Sequence, residues 1–155
     1  MLRVTKLTDY ASVVLTVLAA DADAVQSAAG LAERTGLEAP TVAKLLKPLA
    51  QAGLVQAFRG ANGGYRLARP ADDITLVEIV EAIEGPLAMT DCSVHDGHCG
   101  IEHSCGARAN WRRINDVVAD ALRKVSLADM LAPAAPALPA RKRIPLALDA
   151  NGSRS

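Results

Sequence analysis

At 155 residues, half of them apolar, the chain is long enough for one domain or a small domain with an appended helix, and it can bury a core without covalent staples. Its three cysteines, an odd number confined to residues 92–105, are unlike the even, spread-out cysteines of a secreted scaffold, so a reducing cytoplasm is expected. Formal net charge is zero, yet residues 1–70 carry eight Lys and Arg against five Asp and Glu, residues 71–104 eight acids and no base, and residues 105–130 five bases against three acids, an asymmetry that hints at anion binding by one part of the chain and that charge-solvated helix faces explain equally well.

In chain order, Leu7, Tyr10, Ala11, Val14, Leu15 and Leu18 recur at helical spacing and predict a first helix from Thr5 to Ala20. The run ASVVLTVLAA within it is ten residues long, too short to cross a bilayer, and MLRVTKLTDY before it has no apolar leader, so a soluble chain without a membrane segment is expected. SAAGLAERTG, 27–36, reads as a short helix capped by Ser27 and stopped by Gly36. EAPTVAKLLKPLAQAG, 38–53, places Pro40 in a first turn and Val42, Leu45, Leu46 and Leu49 on one stripe. Pro48 should kink this helix or cut it short.

Two helices joined by a glycine-containing turn, the second bearing Thr41, Lys44 and Lys47 outside, have the form of a helix-turn-helix, although many purely structural helix pairs share it. LVQAFRGANGGYRL, 54–67, supplies two β-prone runs around a glycine-rich turn, with Arg59 entering the turn and Arg66 leaving it. A hairpin directly after such a pair reads as a wing, whose basic tip can lie along the minor groove. TLVEIVEAIEG, 75–85, opens with a Thr75/Glu78 capping box and closes at Gly85-Pro86. In 107–125, Trp111, Ile114, Val118, Ala121 and Val125 alternate in steps of three and four, a seam that suits a partner helix and predicts a homodimer. SLADM, 126–130, begins a last short helix, and the Ala- and Pro-rich stretch from Pro133 has no periodicity and is expected to be disordered.

CSVHDGHCGIEHSC, 92–105, holds every cysteine, with three histidines among them and no lysine or arginine. Zinc is one candidate, completed by His95 or His103, although the gaps of six and five residues are wider than paired zinc ligands use. A thiol redox switch needs nearby positive charge, and the loop offers Asp91, Asp96 and Glu102 instead. Thiolates spread over a glycine-containing loop suit an iron-sulfur cluster, whose several irons accept ligands further apart. A Cys-His catalytic pair lacks an oxyanion-type turn, so no enzyme is expected.

MLRVTKLTDYA, RGANGGYRL, ITLVEIVEAIEG and the three-cysteine loop followed by a tryptophan-bearing helix together resemble the iron-sulfur winged-helix regulators of the IscR and NsrR type, the Rrf-two family, from residue 1 to about 132. Within it the chain looks most like the regulators of the SUF iron-sulfur assembly system. The resemblance implies a dimeric transcription factor, usually a repressor, whose cluster on Cys92, Cys99 and Cys105 reports iron-sulfur or redox status. In the IscR branch a histidine three positions after the last cysteine completes the site, and here Arg108 stands there. The NsrR-like branch also has arginine at that point and takes an aspartate of the first helix from the opposite subunit, which implies Asp9 as fourth ligand and 4Fe-4S ahead of 2Fe-2S, with His98 and His103 as rivals. The first gap between cysteines is a residue longer than is usual in the IscR branch.

The expected architecture is therefore mainly α with a small β-hairpin: a winged helix-turn-helix at 1–85, a cysteine loop at 86–106, a dimerisation helix and short helix at 107–132, and a tail at 133–155. On a near-palindromic duplex, Pro40, Thr41 and Lys44 are expected at base edges, Arg59 and Asn62 at the minor groove, and Lys6 and Lys47 on phosphates. The alternatives are a zinc-stabilised regulator of the same fold and a cluster carrier that does not bind DNA.

Overall fold

Helix α1, Lys6–Ala20, forms where the first apolar stripe was expected, and Ala11, Val14, Leu15 and Leu18 are buried against the rest of the chain. The computed structural model describes residues 4–90 and 105–132. After α1 come α2 (Ala28–Thr35), α3 (Ala39–Gln51), β1 (Val55–Phe58), β2 (Gly64–Leu67), a 3-10 turn at Ala71–Asp73, α4 (Leu76–Glu84), α5 (Arg108–Arg123) and α6 (Leu127–Leu131). Leu31 of α2, the stripe Val42, Leu45, Leu46 and Leu49 of α3, and Ile79 of α4 close one core around α1.

Pro48 does not end α3, which runs on to Gln51. The expected break is overridden by packing. Burial of a leucine is worth about 1.5–3 kcal/mol, and Leu45, Leu46 and Leu49 together outweigh the roughly 3 kcal/mol that an internal proline costs. The carbonyl of Pro48 accepts the Ala52 N–H at 2.9 Å, so the last turn still closes.

Helix α4 has the expected cap. Thr75 Oγ accepts from the Glu78 N–H, and the Glu78 carboxylate accepts from the Thr75 N–H at 2.9 Å and from Arg69 at 2.7 Å. Burial alone would raise the pKa of Glu78, but the bonds from Thr75 and Arg69 outweigh it and hold the carboxyl below its usual range.

The chain then returns on itself in a way that no periodicity announces. Leu76 N–H donates to Val125 O and Leu127 N–H to Ile74 O, both at 2.8 Å, so the segment before α6 pairs with the segment before α4. Ser126 and Asp129 form a second capping box, and Leu127 is fully buried in the main core against α1.

The face of α5 differs from the predicted seam. Ala119 is buried and Val118, Leu122 and Val125 are half-buried, whereas Trp111, Ile114 and Val117 are 37%, 42% and 62% exposed. The stripe with steps of three and four is narrow, but it straddles the edge between the helix face turned to the chain's own domain and the outward face. The inner part, with Val118 and Val125, faces the chain's own domain, Trp111 lines the same groove as Val118, and the outward ridge is Ile114 and Val117 with exposed Ala121.

Candidate nucleic-acid interface

The helix pair is built from local signals. Ser27 Oγ accepts from the Gly30 N–H at 3.0 Å to start α2, and Gly36, at φ 72°, turns the chain out of it. The Thr35 hydroxyl donates to Leu31 O at 2.7 Å and accepts from the Leu37 N–H at 3.3 Å, which fixes the turn. Helix α3 starts with Pro40 in its first turn. With its apolar stripe inward, Pro40, Lys44 and Lys47 are exposed and Thr41 is half-buried on the opposite side. The structure thus brings those four onto one face.

The hairpin pairs Val55 with Leu67 and Phe58 with Gly64, leaving Arg59 and Asn62 exposed in the turn. Arg66 does not leave the turn but lies within β2, its guanidinium 5.0 Å from the centre of the Phe58 ring. The hairpin is also pinned along β2, close to its turn: Gln26 N–H donates to Tyr65 O at 2.9 Å, and Tyr65 N–H to Gln26 O at 2.8 Å. A Cβ on Gly64 would lie 2.4 Å from Gln26 O, and one on Gly63 2.5 Å from Phe58 O, so both positions need glycine. Gln26 immediately precedes the cap of α2, and its side chain also accepts from Arg34. This pin ties the wing to the helix pair, and sequence reasoning missed it because one bridging residue has no periodicity.

Lys6 stands apart. It is exposed at the start of α1 and lines a groove of about 1010 Å³ between α1, α4 and α5, whose walls include Asp9, Val80, Leu87, Trp111 and Leu122 but no residue of α3 or the hairpin. Glu84, at the end of α4, closes the foot of that groove: its carboxylate accepts from the Thr5 N–H at 3.1 Å and from the hydroxyls of Thr5 and Thr8. These bonds hold its pKa below the usual value.

Of the expected cluster ligands, Cys92 and Cys99 lie outside the described residues, as do His95, His98 and His103 and the tail from Pro133. Asp9 is exposed on the α1 groove. Cys105 is half-buried in a second cleft, with Gly106, Arg108, Ala109, Arg112, Arg113 and Asp116. Asp9 and Cys105 therefore do not share a cleft within one chain. The cysteine loop itself is without lysine or arginine, but the first two turns of α5 place three arginines beside its last thiol.

A helix pair that presents an exposed cationic face, with a two-stranded wing pinned beside it, defines a DNA-binding protein of the winged-helix class. Residues 4–133 match the family described as Rrf2, iron-dependent transcriptional regulator. The chain belongs to this family of transcriptional regulators, which bind DNA and are not enzymes. It is 34% identical over 131 residues to Protein aau3 of Rhizobium meliloti (strain 1021), covering 84% of this chain and 85% of that one. It is 35% identical over 124 residues to the HTH-type transcriptional regulator IscR of Cereibacter sphaeroides, covering 72% and 77%. Among solved structures it is similar to CymR, the global cysteine regulator of B. subtilis, with a TM-score of 0.65 and 29% identity over 84% of this chain and 97% of that one. No helix among the described residues is long and apolar enough to cross a membrane.

Proposed function

We propose that the chain acts in the cytoplasm as a homodimeric repressor of iron-sulfur assembly genes of the SUF type, with Cys92, Cys99, Cys105 and the partner subunit's Asp9 holding a 4Fe-4S cluster. Within each chain, residues 1–85 bind the operator, 86–106 carry the cluster ligands and 107–132 join the subunits. Pro40, Thr41 and Lys44 read base edges, Arg59 and Asn62 enter the minor groove, and Lys6 and Lys47 hold phosphates.

The observation that carries this reading is the position of Cys105, three residues ahead of α5, the helix whose outward apolar ridge is uncovered. Ligation at the cysteine loop thus acts on the element that joins the subunits, and so on the spacing of the two recognition helices. The donor set fits the cofactor. Cys105 is a soft ligand in a cationic cleft, where an anionic thiolate cluster is stabilised, and a cluster supplies a redox- and oxygen-sensitive linkage when bound. The separation of Asp9 from Cys105 within one chain supports a ligand donated across the dimer.

The arginines around Cys105 equally favour a second reading, a thiol switch without a cluster, because positive charge stabilises a thiolate. The deciding experiment is an iron and acid-labile sulfide assay with an absorption spectrum on protein purified without oxygen, followed by operator binding before and after cluster loss. Iron and sulfide with operator binding that follows the cluster are the expected results. Metal-free protein whose operator binding responds to thiol oxidants would establish the second reading instead.

A further inference from the structure

The wing is a two-stranded hairpin, and a pair of strands by itself is only marginally stable. What it is seated on therefore fixes where its turn points. At the far end from the turn, Val55 and Leu67 are buried in the core. Close to the turn, the wing backbone is held by Gln26, the last residue of a loop in which Asp21, Ala22, Asp23 and Val25 are exposed. Gln26 pairs with Tyr65 through both its N–H and its C=O, and the Gly64 backbone lies so near that a Cβ there would come within 2.4 Å of Gln26 O. Gly64 and Tyr65 directly follow the turn, so a shift of Gln26 carries Arg59 and Asn62 with it.

The exposed loop does not hold Gln26 in place, but its side chain does. Oε1 accepts from Arg34 Nη1 in the last turn of α2, and Nε2 donates to Val17 O of α1 at 3.5 Å, the weaker bond of the two. A guanidinium only donates and a carbonyl only accepts, so a single orientation of the amide serves both. Arg34 is exposed and makes no ion pair among the described residues; its printed partner is this amide. One residue thus joins the ends of α1 and α2 to the wing.

Resting on the reading of Arg59 and Asn62 as minor-groove contacts, we propose that Gln26, held by Arg34, is a positioning residue for DNA recognition, which sets the distance from the wing turn to α3 and so the reach of Arg59 while α3 lies in the major groove. Gln26 and Arg34 act through Arg59 and not on the duplex. Arg59 is an exposed, rotamer-rich side chain that must be ordered on binding, and a turn already aimed at the groove lowers that cost.

The probe is a duplex that the wild-type protein, purified without oxygen, selects from a random-sequence pool. Its affinity is measured for Gln26→Ala, Arg34→Ala and Arg34→Lys, each alone and combined with Arg59→Ala, once circular dichroism has confirmed the fold. Arg59→Ala should weaken binding about tenfold, as the loss of one charged contact does. Gln26→Ala and Arg34→Ala should each weaken it about threefold, a part of the Arg59 contact, and neither should weaken it further where Arg59 is already alanine. Arg34→Lys keeps a donor for Gln26 and should recover most of the loss. Because Arg34 is exposed, Arg34→Ala keeps the fold and carries the test even where Gln26→Ala does not fold. An equal loss from Arg34→Ala with and without Arg59 would show that Arg34 holds a phosphate itself, which overturns the proposal and leaves the minor-groove reading of Arg59 standing, as does wild-type affinity in Arg34→Ala. Wild-type affinity in Arg59→Ala overturns both.

Discussion

Lys44 and Lys47 share a helix, a charge and an exposed face, yet they are proposed to meet different parts of a duplex. Lys44 is one turn from Pro40 and Thr41, near the helix start that enters a major groove, and Lys47 lies a turn further back. Lys44→Ala should lose discrimination between operator and random duplex by about 1–3 kcal/mol, whereas Lys47→Ala should weaken both alike and reduce the salt slope by about one. Affinities for both duplexes at two salt concentrations check this, and equal losses on both for both variants would remove Lys44 from the base-reading set. Asp9 is similarly discriminating. Its side chain is exposed and makes no hydrogen bond or ion pair among the described residues, so Asp9→Ala should cost the fold no more than about 0.5 kcal/mol. Purified without oxygen, the variant should carry a cluster with an altered spectrum and bind DNA without regard to cluster loss. A wild-type spectrum in Asp9→Ala, with changes in His98→Ala or His103→Ala, would transfer the role to a histidine.

Two elements are joined at the foot of the α1 groove by Glu84, whose carboxylate gathers the Thr5 N–H and the Thr5 and Thr8 hydroxyls. The clasp fastens the start of α1, where Lys6 and Asp9 lie, to the end of α4, from which the chain runs into the cysteine loop. The Thr5 and Thr8 hydroxyl bonds favour the charged carboxylate and hold its pKa below the ordinary 4.5. A depressed carboxyl pKa contributes stability that is fully present above the unfolded value and is lost as pH falls through the folded one. Glu84→Gln should therefore cost about 1 kcal/mol at neutral pH, with this exposed site discounted for screening, and the difference from wild type should shrink as pH drops below 4.5. Thermal unfolding of both proteins from neutral to acid pH checks it; a gap that stays constant or widens with acid would mean that the clasp does not depend on the carboxylate charge.

For the whole molecule, the outward ridge of α5 is the surface that a second subunit would cover. Ile114 and Val117 lie on it, whereas Val118 faces the chain's own domain. Aspartate at Ile114 and Val117 together should split the dimer while each subunit keeps its helical signal, because a charge buried without a partner is costly only in the assembled form. Sedimentation of the double variant beside Val118→Asp tests this. Val118→Asp should lower the stability of the subunit itself, and a double variant that sediments as the wild type would show that the ridge is not the subunit contact.

The elements themselves were legible in the chain because their signals are local. Ser27, Thr75 with Glu78, Gly36, Gly85 and the 3.6-residue apolar stripes act over a few residues, and each cap and stripe stands where that local chemistry placed it. The outward face of α3, carrying Pro40, Thr41, Lys44 and Lys47, follows from the same arithmetic once Val42, Leu45, Leu46 and Leu49 turn inward. Tertiary structure decided what depends on residues distant in sequence: the Gln26–Tyr65 pin under the wing, the pairing of Val125 and Leu127 with the segment before α4, the Glu84 clasp and the arginines gathered around Cys105. It also decided the fate of Pro48 and the split of the α5 seam, because there burial against distant helices outweighs the local preference of a proline or of a repeating apolar stripe.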